Sequence, residues 1–259
     1  LHFTIHSFPT RRSSDLVGPY AIIEHDCVIG DSTRIDSFGQ IKAHTALGSN
    51  NHVHSYACLG GTPQDLKYRG GNTRLEIGDG NCFREFVTVN RGTEEGGGVT
   101  KLGSGILVMA YAHIAHDCRL DDGVIMANAA TLAGHVLVDR MAVIGGLCAI
   151  HQFVRIGEFA YIGGMTGVSQ DVPPFMLVAG ERGWLHNLNL IGLRRRGIDK
   201  QTLSALKSAF KMIWRSDMTR TKALEKVTLE LGHYPEVRQL VEFVQASERG
   251  VLALKNKRN

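Results

Sequence analysis

The sequence predicts a mainly β fold: a parallel β-helix of hexapeptide repeats followed by a small α-helical domain. Three observations lead to it. An aliphatic residue recurs at every sixth position, small residues flank it, and residues 190–259 change to a helical spacing. A period of six fits neither an amphipathic helix, with a period of about 3.6, nor a plain strand, with a period of 2. It fits short strands joined by tight turns, each coil of chain stacking on the one before.

Three unbroken series of apolar residues carry this repeat, and the longest has twelve members at one spacing. The series run Val17–Leu59, Ile77–Val89 and Leu102–Val168. We therefore assign residues 17–180 to the coils. Known proteins with this repeat have three hexads per triangular coil and a left-handed wind, and resemblance to them implies the same here. Residues 18 apart would then stack, with Gly134 and Gln152 above His116, and with His135 and Phe153 above Asp117.

Two segments, residues 60–76 and 90–101, break the period inside the coils. Insertions in a solenoid form loops on its face, and such loops commonly carry function. We expect both loops to contribute to a functional site.

The end of the chain, residues 190–259, has the spacing of a small helical domain. Asp199 is a suitable N-cap for a first helix, a second spans about Thr219 to Leu231, and Pro235 suits the first turn of a third. Residues 1–16 follow neither pattern. They resemble translated sequencing-adapter read-through, with a natural N-terminal arm as the alternative, and we expect this segment to be spurious or disordered.

Composition excludes several classes of protein. The five cysteines are scattered without CxxC pairs, which fits neither a disulfide framework nor a cysteine-based zinc site. No apolar run approaches the roughly 20 residues of a membrane span, and the start lacks the apolar centre of a secretory signal. We expect a cytoplasmic protein with no integral membrane segment. Residues 190–259 contain 15 Lys and Arg against 7 Asp and Glu, which indicates an acidic macromolecular or phosphate partner, or simply a solvated helical surface.

The stretch "MAYAHIAHDC" contains the strongest candidates for chemistry, His113, His116 and Asp117. A zinc site needs three or four converging ligands, and His113, His116 and His135 are candidates for one across a subunit boundary. Acid–base catalysis needs one imidazole in a cleft with its other nitrogen fixed by a carboxylate or carbonyl, as Asp117 beside His116 would allow. For an isolated histidine in a turn, a structural role is the simpler interpretation.

A family resemblance separates these alternatives. It rests on "TPQDLKY", "REFVTVNRGT" with "GGGVT", "MAYAHIAHDC", "ANAATLAGHV", "IGGLCAIHQFVRIG", "GGMTGVSQDVPP" and "NLNLIGLRRRG". These motifs resemble those of the acyl-carrier-protein:UDP-N-acetylglucosamine O-acyltransferases, which start lipid A synthesis. The resemblance runs from Val17 to the end and includes both inserted loops. It implies a homotrimer with active sites between subunits, acyl carrier protein and UDP-N-acetylglucosamine as partners, no nucleic acid, no cofactor and no metal.

The resemblance also implies roles for single residues. His116 would be the general base toward the sugar 3-hydroxyl, Asp117 its helper, and Gly134 an oxyanion donor through its backbone N–H. Gly164 would sit where acyl length is set and, by leaving the groove open, favours a longer chain. The remaining positions would bind substrate: Asp65, Lys67, His113, His135, His151, Gln152, Asn189, Arg195 and Arg196. Two alternatives stay open, a zinc enzyme of the gamma carbonic anhydrase type and a non-catalytic β-helical scaffold.

Overall fold

The structure is a computed structural model that describes residues 16–255, and it confirms the predicted left-handed parallel β-helix with C-terminal helices. The expectation for residues 1–15 lies outside the described part of the chain. Leu16 corrects that expectation at its edge, because its backbone pairs with Arg34 in the first strand. Ladder pairing needs only backbone groups, so a strand can begin before the first aliphatic repeat position.

Three sheets form the faces of a triangular prism, and successive strands of each sheet come from successive coils. The first sheet contains β1 (Leu16–Val17), β4 (Arg34–Ile35), β7 (His52–Val53), β10 (Cys82–Phe83), β13 (Leu107–Val108), β16 (Ile125–Met126), β19 (Val143–Ile144), β22 (Tyr161–Ile162), β24 (Met176–Ala179) and β25 (Trp184–Leu188). The second contains β2 (Ile22–Ile23), β5 (Gln40–Ile41), β8 (Cys58–Gly61), β11 (Thr88–Asn90), β14 (His113–Ile114), β17 (Thr131–Leu132), β20 (Ala149–Ile150) and β23 (Gly167–Val168). The third contains β3 (Val28–Ile29), β6 (Thr45–Leu47), β9 (Arg74–Ile77), β12 (Val99–Leu102), β15 (Arg119–Leu120), β18 (Leu137–Val138) and β21 (Arg155–Ile156).

The register between coils without a loop is 18 residues, as the pairing of His113 with Thr131 and of Thr131 with Ala149 shows, and it shortens to 16 in the last coil, where Tyr161 pairs with Leu177. The stacking expected around His116 and Asp117 is therefore confirmed. The aliphatic repeat positions point inward and, from Ile35 onward, are almost fully buried, so each coil adds one layer to a continuous apolar core. That burial is the main favourable contribution to folding.

Three columns of corner residues run along the prism, and most of their members adopt left-handed backbone angles, with φ between 54° and 69° for those that are not glycine. The first corner column, between the first and second sheets, contains Tyr20, Phe38, Tyr56, Phe86, Tyr111, Ala129, Leu147 and Met165. The second, between the second and third sheets, contains Asp26, His44, Asp117, His135 and Phe153. The third, between the third and first sheets, contains Ser32, Asn50, Met141, Phe159 and Phe175, with glycines in three coils. Left-handed angles are unfavourable for large side chains, and stacking of neighbours along each column offsets part of that cost.

Four helices follow the coils: α1 (Leu190–Arg195), α2 (Lys200–Arg215), α3 (Arg220–Leu231) and α4 (Pro235–Gln245). The three longer helices begin where the sequence predicts, and the carboxylate of Asp199 accepts hydrogen bonds from the Gln201 and Thr202 amides. The sequence pattern did not reveal α1 or the antiparallel pairing of β24 with β25. Within residues 16–255, none of the helices has the length and apolar character to cross a bilayer.

Candidate active site

Both inserted loops and the His116–Asp117 pair lie at the second corner column. The first loop leaves the coils between β8 and β9 and the second between β11 and β12, so both replace a turn at this corner in consecutive coils. The loops touch each other: Glu94 accepts a hydrogen bond of 2.6 Å from the Gly71 amide, and Lys67 Nζ lies 3.5 Å from Glu95 Oε2. Asp117 occupies the same corner in the next coil, so the loops lie beside the coil that holds His116 and cover this corner of it.

Asp117 is a buried carboxylate held by neighbours from the second loop. Its side chain is only 1% exposed. Thr93 donates its N–H to Oδ1 at 2.9 Å and its hydroxyl to Oδ2 at 2.6 Å. The Asp117 amide donates to Thr100 Oγ1 at 2.7 Å, and Gly96 passes so close that any side chain there would overlap the carboxylate. A buried carboxylate keeps its charge only when donors of this kind satisfy its oxygens.

His116 is oriented by that carboxylate. Its Nδ1 lies 2.8 Å from Asp117 Oδ2, so the Nδ1–H donates to the carboxylate and Nε2 carries the lone pair. This is the tautomer that a general base requires, and Asp117 stabilises the imidazolium formed when Nε2 takes a proton. The ring is 14% exposed, so a substrate can reach it while most bulk water is kept away.

Gly134 lies against the His116 ring in the following coil, as the repeat predicted. A Cβ atom at this position would stand 2.6 Å from Cε1 and 2.8 Å from Nε2, so only glycine leaves room for the imidazole in its present place. The amides on either side, of Ala133 and His135, donate to Ile150 O and His116 O. The Gly134 amide has no such partner among the described residues, and it is therefore available to a ligand.

Two further imidazoles border His116. His135 lies edge-on to the His116 ring at 5.2 Å between centroids, with its Nε2 3.6 Å from Asp117 Oδ2. Burial lowers the pKa of His135, and the nearby His116 lowers it further, although Asp117 opposes both effects. Burial, and then His116, also lowers the pKa of His113, whose Nδ1 is hydrogen-bonded to Thr88 Oγ1 at 2.8 Å. The lowered pKa favours the neutral form of both rings, in which each can donate and accept a hydrogen bond.

The other predicted binding residues divide into two groups. Asp65 and Lys67 lie on the first loop, close enough for the charge of Asp65 to act on His135. His151 and Gln152 lie one coil beyond Gly134 and His135, and both are exposed. His151 also borders a cavity of about 650 Å³ whose wall includes Ala149, Gly167 and Trp184.

Four predicted residues are on other corners of the same chain. Asn189 caps α1 by accepting from the Gly192 amide, and its Nδ2 donates to Phe159 O in the third corner column. Arg195 and Arg196 are exposed at the end of the same short helix. Gly164 precedes Met165 in the first corner column. A single chain therefore groups His116, Asp117, Gly134 and His135 but does not bring these four to that corner.

Sequence reasoning missed the residues that hold Asp117. Thr93 comes from the second loop and Thr100 from β12, and sequence reasoning also missed Thr88 of β11, which holds His113. The available signal was the run "NRGTEEGGGVT", in which a small polar residue and several glycines follow a strand. It marked a functional loop but did not indicate which atoms the loop contacts.

Three clusters of described residues have ligand atoms close enough to share a metal ion, all within 4.8 Å of one another. They are His116 with Asp117 and His135, His25 with Asp26 and His44, and Asp36 with His52 and His54. The zinc alternative expected His113 to join His116 and His135. Within one chain, that cluster contains Asp117 and not His113.

The cluster at His25 and Asp26 is a second copy of the dyad in the same corner column. His25 Nδ1 lies 2.9 Å from Asp26 Oδ2, and each aspartate is followed by a cysteine whose Sγ meets a carbonyl of the next coil. The copies differ in their surroundings, because the Asp26 side chain is 67% exposed and Asp117 is covered by the second loop.

Comparison with known proteins identifies the family of the chain. The family model described as UDP-N-acetylglucosamine O-acyltransferase, domain 2, matches residues 171–252. An acyl-[acyl-carrier-protein]–UDP-N-acetylglucosamine O-acyltransferase from Thermodesulfovibrio yellowstonii is 48% identical over 236 residues, covering 91% of this chain and 92% of the relative.

Solved structures are similar over almost the whole chain. A UDP-N-acetylglucosamine acyltransferase from Bacteroides fragilis has a TM-score of 0.89 at 35% identity and covers 92% of this chain and 93% of its own. The corresponding enzyme from Campylobacter jejuni has a TM-score of 0.85 at 37% identity, covering 94% and 97%. On the strength of these identities and coverages, the chain belongs to the acyl-[acyl-carrier-protein]–UDP-N-acetylglucosamine O-acyltransferase family.

Proposed function

We propose that this chain transfers a 3-hydroxyacyl group from acyl carrier protein to the 3-hydroxyl of UDP-N-acetylglucosamine, the first step of lipid A synthesis, with His116 as the general base. The observation that carries the proposal is the 2.8 Å bond from His116 Nδ1 to a buried Asp117, which leaves Nε2 free to accept a proton. The names of the relatives supply the two substrates.

The reaction needs no covalent enzyme intermediate. His116 Nε2 takes the proton of the sugar hydroxyl while its oxygen attacks the thioester carbonyl. The new C–O bond forms, the C–S bond breaks, and the imidazolium returns the proton to the leaving thiolate. The free Gly134 N–H donates to the carbonyl oxygen as negative charge develops there.

Substrate binding is assigned to the residues around the second corner. Lys67 is 73% exposed and only loosely paired with Glu95, so its ammonium is available to a diphosphate. Asp65, His113, His135, His151 and Gln152 supply hydrogen-bonding groups along the same cleft. Gly164 leaves space at the first corner for a longer acyl chain.

The proposed assembly is a homotrimer, in which Asn189, Arg195 and Arg196 of one subunit complete the site of the next. Their position near the third corner supports this, since they are not grouped with His116 in one chain. The first corner column supports it too, because its rings from Tyr20 to Tyr111 are exposed and stack at 4.9–5.2 Å. Five unpaired cysteines fit a reducing cytoplasm.

The deciding experiment is acyl transfer by His116→Ala, with His25→Ala as the matched control. We expect the first variant to lose about 10²- to 10⁴-fold in kcat, the usual contribution of a general base, and the second to match the parent. Full activity of His116→Ala would exclude the proposed base. Equal losses in both variants would mean that folding rather than chemistry has been disturbed.

A further inference from the structure

A second group of ligand-type side chains lies on the outer face of the first sheet, away from the second corner column. Asp36, His52 and His54 belong to two consecutive coils, and Cys82 and Glu85 to the coil that follows. Their backbone is fixed by ladder hydrogen bonds of 2.8 Å from the amides of Asp36, His52 and His54. The side chains are only partly exposed, with Asp36 and His54 at 19%. The backbone of the group is therefore fixed before any ligand arrives, whereas the rings of His52 and His54, stacked with centroids 3.8 Å apart, must separate before both can reach one ligand.

We propose that this group is a zinc site with three protein ligands, Asp36, His52 and His54, whose ligand atoms all lie within 4.8 Å of one another, and with water in the fourth position. Asp36 Oδ2 lies 2.9 Å from His52 Nε2 and 3.5 Å from His54 Nδ1, and Glu85 Oε1 lies 3.6 Å from the same His54 nitrogen. A tetrahedral zinc ion with bonds of about 2.1 Å needs ligand atoms about 3.4 Å apart. The observed separations bracket that value.

Hydrogen bonding alone accounts for only part of this arrangement. The contact of His52 with Asp36 is an ordinary hydrogen bond. His54 Nδ1 instead faces two carboxylate oxygens, each at a distance longer than the usual range of about 2.7–3.2 Å. A zinc ion between Asp36, His52 and His54 would lengthen the 2.9 Å contact to about 3.4 Å and leave the 3.5 Å contact almost unchanged.

The surrounding contacts suit a metal ligand set. Arg34 Nε donates to the outer oxygen of Asp36 at 2.7 Å, and Arg84 holds Glu85 through Nε and Nη2. Cys82 Sγ lies 3.5 Å from His54 Nε2, which favours a proton on that nitrogen and leaves Nδ1 for the ion. Metal-bound histidines and carboxylates are generally oriented by such outer partners. Two imidazoles with carboxylate oxygens form a typical set for zinc.

Zinc titration of metal-free protein without an affinity tag tests the site. We expect one zinc ion per chain with a Kd on the order of micromolar or tighter. His52→Asn/His54→Asn should weaken binding by more than about 100-fold, beyond the effect of losing an outer partner. The control His25→Asn/His44→Asn alters the exposed cluster, and His116→Asn alters the active site; both should bind zinc like the parent.

The proposal would be overturned if the parent protein bound no zinc at 100 µM, which is on the order of the weakest affinity consistent with a resident ion. Unchanged zinc binding in His52→Asn/His54→Asn would also overturn it. So would a loss of zinc binding in His116→Asn alone. Circular dichroism and the melting temperature establish that each variant is folded. Asp36→Asn, which keeps the size of the side chain, replaces the double variant if that one does not fold. Acyl transfer measured beside the titration keeps this result separate from the proposed activity, since a failed zinc site leaves the His116 test untouched.

Discussion

Asp117→Asn is the most direct test of the dyad, because it preserves the shape of the side chain and changes only its hydrogen-bonding capacity. Three donors now meet the carboxylate: the Thr93 N–H at 2.9 Å, the Thr93 hydroxyl at 2.6 Å and His116 Nδ1 at 2.8 Å. Asparagine offers one acceptor oxygen and an NH2 donor. With the oxygen on the Thr93 amide, the NH2 group faces His116 Nδ1 and drives the ring proton onto Nε2.

An imidazole protonated at Nε2 cannot accept a proton from the sugar. To return to the active tautomer, the His116 ring must place its Nδ1–H against the N–H of the asparagine amide, which is a clash of two donors. In addition, the imidazolium formed during the reaction no longer has the negative charge of Asp117 beside it. Each effect costs about 2 kcal/mol, so the barrier rises by about 4 kcal/mol and kcat falls roughly a thousandfold. The assay is the initial rate of transfer from 3-hydroxyacyl carrier protein, with KM for the sugar nucleotide expected to change little.

Asp26→Asn is the matched control, because it makes the same change in the exposed copy of the dyad, and we expect it to match the parent. A kcat for Asp117→Asn within about tenfold of the parent would refute the tautomer argument, since that loss corresponds to only about 1.4 kcal/mol.

Three other predictions follow from the geometry. Gly134→Ala should fold normally but lose at least about 100-fold in kcat, because the new methyl group displaces the His116 ring; normal kcat in a stable variant would contradict this. Mixing inactive His116→Ala with inactive Arg195→Ala and reassembling the trimers should restore about a quarter of the parent activity if the two residues serve one site from different subunits, and none if one chain supplies both. Asp139→Asn should stabilise the protein above pH 6. Burial, reinforced by Asp121, raises the pKa of Asp139 to about 6, above the value of about 4 in an unfolded chain. The folded state therefore binds the proton more tightly, and stability is lost as pH rises through that window. Urea unfolding should show a gain of up to about 3 kcal/mol at pH 8 and none at pH 3, and equal effects at both pH values would exclude Asp139 as the cause.

The fold could be predicted because every hexad carries the same apolar position. Each inward position must be apolar, so the period survives in the sequence, and the helix starts at Asp199, Thr219 and Pro235 carry local capping chemistry. Corner conformation could not be predicted in the same way. Phe86 and Tyr111 adopt φ near 60°, which their residue types disfavour, and only the stacked neighbours in adjacent coils make those positions understandable.

The site could be predicted only in part, for a similar reason. The resemblance pointed to His116 and Asp117, and the 18-residue register placed Gly134 in the coil next to His116. The partners of Asp117 depend instead on where the second loop folds back, and no spacing rule reports that Thr93 will meet a carboxylate from the following coil. Contacts between residues far apart in sequence and outside the repeat are set by tertiary packing alone.

The two copies of the His-Asp-Cys sequence show what the loops contribute. Both copies occupy the second corner column, and both place an aspartate oxygen within 2.9 Å of the histidine Nδ1. Asp26 faces water, where its charge is screened and its attraction for an imidazolium is weak. Asp117 lies under Thr93 and Gly96, where the same charge acts through a medium of low polarity and is fixed by two additional donors. The repeat thus supplies the corner and the dyad, and the loop converts one of the two chemically equivalent corners into a base that can act on a substrate.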